Sequence, residues 1–145
     1  MLGNDSVFPL IVLDTNVVLD WLLFDDRRMA TLAAALTAGR VRWVASEPMR
    51  EELCRVLLRG IATRPGQATD SIVAAFDRWS ARVEPAAASL APSLRCSDAD
   101  DQKFVDLAVQ MRTSDLISRD RAVLRLAGAA RGVGLRIVVP ERWTG

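Results

Sequence analysis

The sequence predicts an α/β fold, a three-layer α/β/α sandwich with a mainly parallel central sheet of about five strands. Three observations predict it. Five short segments, at residues 10–13, 41–45, 83–85, 115–118 and 135–139, have strand length and composition. Longer stretches with apolar residues at helical spacing separate them, the alternation that places parallel strands side by side. The first segment, Leu10-Ile-Val-Leu13, is apolar throughout, as a strand covered on both faces must be. With 145 residues, half of them hydrophobic and about a quarter charged, the chain can bury a core and is expected to form one domain over 1–145.

Taken in order, the first strand runs straight into Asp14-Thr15-Asn16, after which residues 17–24 read as a helix. Residues 27–37, rich in Ala and Leu, form a second helix that Gly39 closes. Strand 41–45 follows. Ser46 is then an N-cap and Pro48 a first-turn residue for a helix reaching about residue 59, with Met49, Leu53, Val56 and Leu57 on one face. Residues 60–67 read as a loop. Thr69 or Asp70 begins a further amphipathic helix carrying Ile72, Val73, Phe76 and Trp79. Val83-Glu84-Pro85 is expected as a short edge strand, and residues 86–95 as a loop. Ser97 or Asp98 caps a helix whose apolar face is Phe104, Val105, Leu107, Ala108 and Met111. Strand 115–118 leads to Arg119-Asp120. Residues 121–131 read as one helix ended by Gly132 and Gly134, and strand 135–139 is stopped by Pro140.

Composition excludes several functions. The longest apolar run, residues 7–13, contains Pro9 and stops at Asp14, whereas a membrane helix needs about 20 apolar residues. The N-terminus lacks the basic region of a signal peptide, so a cytoplasmic location is expected. Cys54 and Cys96 lack a Cys-x-x-Cys spacing and read as small hydrophobes. There is no histidine, which removes Ser-His-Asp and Cys-His catalysis and histidine-based zinc sites. Any enzyme chemistry must rest on carboxylates, hydroxyls or a metal held by oxygen. The net charge of +1 is not that of an obvious nucleic-acid binder, yet 18 of the 19 basic residues are Arg and Lys103 is the only lysine. Arg grips phosphate through a planar fork, although a GC-rich codon bias explains the imbalance equally well.

In parallel sheets the ligand crevice lies outside the carboxyl ends of the strands, which selects among the acids. Asp14 follows the first strand directly and Asp120 lies just past a later one. Glu52 sits about two turns into the helix after the second strand. Asp98, Asp100 and Asp101 occupy the first turn of the helix before Asp120. Taken singly, each has a plain structural role: Asp14 and Asp120 as caps, Glu51 and Glu52 as a solvated face, the Asp98–Asp101 run as a complement to the helix dipole. Together they bring acids from four segments to one sheet edge. Grouped carboxylates repel one another, and Mg²⁺ or Mn²⁺ relieves that repulsion in an all-oxygen site. Metal-assisted hydrolysis of a phosphodiester follows from such a site.

These residues resemble the motifs of PIN domains. Ile11-Val-Leu-Asp-Thr-Asn-Val17 is similar to the opening motif. Ser46-Glu-Pro-Met-Arg-Glu-Glu-Leu-Cys-Arg-Val-Leu57 is similar to the second, Asp98-Ala-Asp-Asp-Gln-Lys-Phe-Val-Asp-Leu-Ala108 to the third, and Leu116-Ile-Ser-Arg-Asp120 to the fourth. Val138-Val-Pro-Glu-Arg-Trp143 resembles the closing strand. The likeness spans nearly the whole chain and is nearest to the bacterial toxins of toxin–antitoxin systems related to VapC. It implies a PIN-like fold and a Mg²⁺- or Mn²⁺-dependent endoribonuclease with RNA as substrate. An antitoxin protein and a homodimer are the partners it brings with it. By position it implies Asp14, Glu52, Asp101 and Asp120 as the catalytic, metal-binding acids, with Asp98 and Asp100 as further contributors. Asn16 and Ser118 become supporting polar residues. Glu52 is preferred to Glu51 because it directly precedes the Leu of the motif. The chain departs from the family in having no glycine between Ala108 and Asp120, where many members carry one.

Arg27, Arg28, Arg50 and Arg121 stand near carboxyl-end loops and are expected to meet RNA phosphates, because an acidic site must still attract a polyanion. Two other acid-rich folds fit less well. A haloacid-dehalogenase-like phosphatase opens with Asp-x-Asp, where this chain has Asp14-Thr15-Asn16. A receiver domain needs a lysine after a late strand, and Lys103 precedes one. The remaining alternative is a catalytically silent PIN domain that serves as an RNA- or protein-binding module.

Overall fold

The computed structural model describes residues 8–60 and 69–145. Five strands, β1 (Leu10–Leu13), β2 (Arg42–Ala45), β3 (Ser80–Arg82), β4 (Asp115–Ile117) and β5 (Arg136–Val138), form one sheet in the order β3-β2-β1-β4-β5. All four pairings are parallel. Seven helices are described: α1 (Thr15–Leu22), α2 (Ala30–Thr37), α3 (Glu47–Leu58), α4 (Thr69–Trp79), α5 (Gln102–Gln110), α6 (Arg121–Leu124) and α7 (Ala127–Ala130). Successive strand residues face opposite sides of a sheet. Ile11, Val12 and Leu13 are nevertheless all buried, so both faces of the central strand are covered and the α/β/α sandwich stands.

The core explains the periodicities. Phe104, Val105, Leu107 and Ala108 on α5 are buried, and α5 packs on β1 and β4. Trp43 on β2 is almost wholly buried, with Phe76 of α4 edge-on at 4.8 Å between ring centroids and Trp21 of α1 at 6.0 Å. Such contacts add about 1 kcal/mol each beyond burial. Trp143 is buried too, whereas Trp21 and Trp79 are half-buried. Neither Cys54 nor Cys96 is bridged, and both are half-buried rather than fully interior.

Several boundaries move, each for a local reason. Helix α1 starts at Thr15, because the Asp14 carboxylate caps it. The expected helix 27–37 opens as a 3-10 turn, Arg27–Met29, capped by Asp26, before α2 proper. The edge strand is Ser80–Arg82 rather than 83–85: α4 ends at Trp79 and the chain enters the sheet at once. Only Val83 of the expected strand touches the sheet, through its N–H to Ala45 O. A 3-10 turn, Ala99–Asp101, capped by Asp98, precedes α5. The single helix expected over 121–131 is instead α6, α7 and a 3-10 turn, Arg131–Val133, which ends at Gly134 with φ of 78°. The loop expected at 60–67 lies, apart from Gly60, outside the described residues.

The missing glycine has a definite answer. After α5 the N–H of Thr113 bonds Ala108 O and that of Arg112 bonds Val109 O, the paired closure of a Schellman motif. Arg112 therefore takes the left-handed position, with φ of 51°, where a glycine would sit without strain.

Candidate active site

The sheet order puts β1 beside β4, and their carboxyl ends deliver Asp14 and Ser118 to the same place. Asp14 N–H bonds Ile117 O and Ser118 N–H bonds Val138 O, so backbone ladder bonds fix both residues. The Ser118 hydroxyl, fully buried, donates to Asp14 Oδ2 at 2.7 Å and accepts from the Asp120 N–H at 3.0 Å. Among the described residues, Asp14 Oδ1 has one partner, a long 3.4 Å contact from the Asn16 N–H. Burial pushes the Asp14 carboxyl above its usual range against the pull of Ser118, and the charges of Asp120 and Glu52 add to the rise.

Asp98, Asp101 and Asp120 converge next to it. One carboxylate oxygen from each lies within 4.8 Å of the others. Two of the three arrive as helix caps: Asp98 Oδ1 accepts from the Asp100 N–H at 3.0 Å and Asp120 Oδ1 from the Ala122 N–H at 2.8 Å. Capping thus uses one oxygen of each. Asp101 is different. It is buried, and its Oδ2 has no hydrogen-bond partner among the described residues. Burial pushes its carboxyl up to about 7, with repulsion from Asp14 and Asp120 adding to the rise. A buried carboxylate oxygen left unpaired beside two more carboxylates is costly unless a cation meets it. The donor set is all oxygen, anionic and compact, which suits a hard divalent ion.

Of the acids expected from sequence, the structure groups Asp101, Asp120 and Asp98. It sets Asp14 against them, close enough for their charges to interact. Glu52 is held otherwise: Thr15 Oγ1 donates to its Oε2 at 2.6 Å, and Lys103 Nζ pairs with its Oε1. Lys103 also donates to the backbone carbonyl of Asp100. The Asp100 side chain lines a cleft beside the acids. Asn16 is exposed at the start of α1, and its side chain makes no hydrogen bond among the described residues. Arg28 pairs with Asp26 and Arg50 with Asp77, whereas Arg27 and Arg121 are exposed and form no ion pair among the described residues. Thr15 and Lys103 escaped the reading of the sequence. The signal for Lys103 was present, since it is the one lysine in a chain that otherwise uses arginine.

The profile of the PIN domain matches residues 10–122. The chain belongs to the PIN domain family. The matched stretch contains Asp14, Glu52, Asp98, Asp101 and Asp120, and PIN domains are generally nucleases that use divalent metal. No curated protein sequence matches the chain. Among the described residues of this PIN domain, no helix is long and apolar enough to cross a membrane.

Proposed function

We propose that this PIN domain is a Mg²⁺- or Mn²⁺-dependent endoribonuclease that hydrolyses RNA phosphodiester bonds and serves as the toxin of a cytoplasmic toxin–antitoxin pair. The observation that carries the nuclease reading is the buried, unpartnered Oδ2 of Asp101 inside the Asp98–Asp101–Asp120 group. The toxin role rests on the likeness of the motifs to VapC-related toxins.

Asp98, Asp101 and Asp120 would hold the ion, with Asp14 completing the acidic set. When bound, Mg²⁺ or Mn²⁺ supplies positive charge opposite the scissile phosphate and lowers the pKa of the attacking water. Asp14 Oδ1, with a single weak partner among the described residues, is the oxygen that would be free to orient a water and accept a proton. Ser118 fixes the other oxygen, so the carboxylate cannot turn away. Glu52 positions the Lys103 ammonium at the cleft, close to where a polyanionic substrate must come. Arg27 and Arg121, exposed and free of ion pairs among the described residues, are suited to more distant phosphates.

The test is cleavage of a mixed RNA pool by purified protein in Mg²⁺, Mn²⁺ or EDTA, beside Asp14→Asn. Metal-dependent cleavage lost in the variant is the expected result. Folded protein that binds RNA but cuts none would support the silent binding module instead.

A further inference from the structure

We propose that Arg55 and Arg59 form a phosphate-binding wall that seats the RNA backbone beside the acidic cluster, at nucleotides flanking the bond to be cut; this rests on the ribonuclease reading above. Glu52, Arg55 and Val56 of α3 and Arg59 at its C-cap fall at i, i+3, i+4 and i+7 and so share one face. That face forms one side of a cleft of about 440 Å³, and Asp98, Asp100, Asp101 and Lys103 complete its lining.

The charge in this cleft is uneven. Lys103 is already paired with Glu52 and donates to the Asp100 carbonyl. Arg55 and Arg59 are exposed and form no ion pair among the described residues, although carboxylates line the same cleft. Arg28, Arg50, Arg82, Arg119 and Arg136 are, by contrast, all matched to an Asp or Glu. Arg27 and Arg121 form no ion pair among the described residues either, but Arg55 and Arg59 are the arginines that line this cleft, and their open forks stand next to a site that would otherwise repel a polyanion. They lie one helical turn apart, about 6 Å along the axis, so each can take a separate phosphate of one strand.

The test measures binding of a fluorescein-labelled single-stranded RNA of mixed sequence by anisotropy, in EDTA, between about 50 and 200 mM salt. Wild type is compared with Arg55→Gln/Arg59→Gln and with Arg40→Gln/Arg131→Gln. The second pair removes the same charge from exposed positions that precede β2 and β5, at the opposite edge of the sheet. Each lost phosphate contact to a single strand removes about 0.7 from the salt slope. The α3 pair should therefore lower the slope by about 1.4 and lose about sevenfold less affinity across that salt range than wild type, while the control pair follows wild type. Thermal melts of all three proteins check that folding is unchanged. If wild type cleaves RNA in Mn²⁺ and the α3 variant matches the control pair in slope and affinity, the inference fails and the ribonuclease reading stands. No binding by wild type overturns the inference whatever the cleavage assay gives; no binding and no cleavage sinks both.

Discussion

Ser118 and Asp14 end adjacent parallel strands, and the Ser118 hydroxyl bonds Asp14 Oδ2 at 2.7 Å while the Asp120 N–H bonds the same hydroxyl at 3.0 Å. One buried oxygen therefore sets the relative position of two acids. Ser118→Ala removes both bonds and leaves Asp14 Oδ2 buried without a donor. Metal affinity or cleavage should fall by about 10- to 100-fold, the usual cost of losing such a supporting group. Calorimetric titration with Mn²⁺ reads the affinity, and an unchanged value would show that Ser118 only fills space.

The acids separate into two groups by what already holds them. Asp98 and Asp120 each give one oxygen to a helix cap, while both oxygens of Glu52 are engaged by Thr15 and Lys103. Asp120→Asn and Asp98→Asn should weaken Mn²⁺ binding by at least tenfold. Glu52→Gln should weaken it less and act mainly on cleavage, by releasing Lys103. Equal losses of affinity for all three variants would place Glu52 among the ligands.

Folding raises the carboxyl pKa of Asp101, to about 7, and of Asp14. A native pKa above the unfolded one means that the native state holds the extra proton in between, so stability falls as pH rises from about 4 towards 7. Asp26, paired with Arg28, and Asp77, paired with Arg50, are shifted downward and act in the opposite sense, but only below about pH 4. Metal-free protein in EDTA should accordingly melt several degrees higher at about pH 5 than at about pH 7.5. Asp101→Asn should flatten that difference, as should saturating Mn²⁺. A melting temperature that rises over the same interval would contradict the burial assigned to these acids.

Arg112 pays a left-handed backbone cost that glycine avoids. Arg112→Gly should stabilise the protein by about 0.5–1 kcal/mol, the relief of strain less the extra freedom of glycine in the unfolded chain. Urea unfolding measures this directly. Destabilisation would mean that the Arg112 side chain contributes more than its backbone loses.

Asp115 is buried at the start of β4, and its neighbour in register, Arg136 on β5, pairs with it while Ser114 Oγ donates to it at 2.7 Å. Arg136→Ala leaves the carboxylate with one donor and should cost about 1–3 kcal/mol, less than for a fully buried pair because Arg136 is half exposed. Adding Asp115→Val should recover most of the loss in a double-mutant cycle.

How far the sequence foretold this structure depends on what each element answers to. Leu10-Ile-Val-Leu13 and the apolar face of α5 were legible because their burial leaves a period in the chain. The Asp14 and Asp120 positions were legible because strand ends are marked by a change from apolar to acidic. Residues 80–82 were not. Ser-Ala-Arg carries no strand signal, and its conformation is imposed by pairing with Trp43, Val44 and Ala45. The break between α6 and α7 was hidden because Arg121-Ala-Val-Leu-Arg-Leu-Ala is good helix by propensity. The placing of Glu52 beside Lys103 was invisible for another reason: the two are 51 residues apart, and only the packing of α3 on α5 joins them.

The family match stops at residue 122, yet the sheet does not. β5 supplies the partner for β4, and Val138 O receives the N–H of Ser118 itself. A chain cut back to the matched stretch would leave the strand that leads to Ser118 as a bare edge, its donors and acceptors open to any passing strand. Residues 123–145 thus complete the sheet: they cover the β4 edge beside the candidate site and make β5 the strand that ends it.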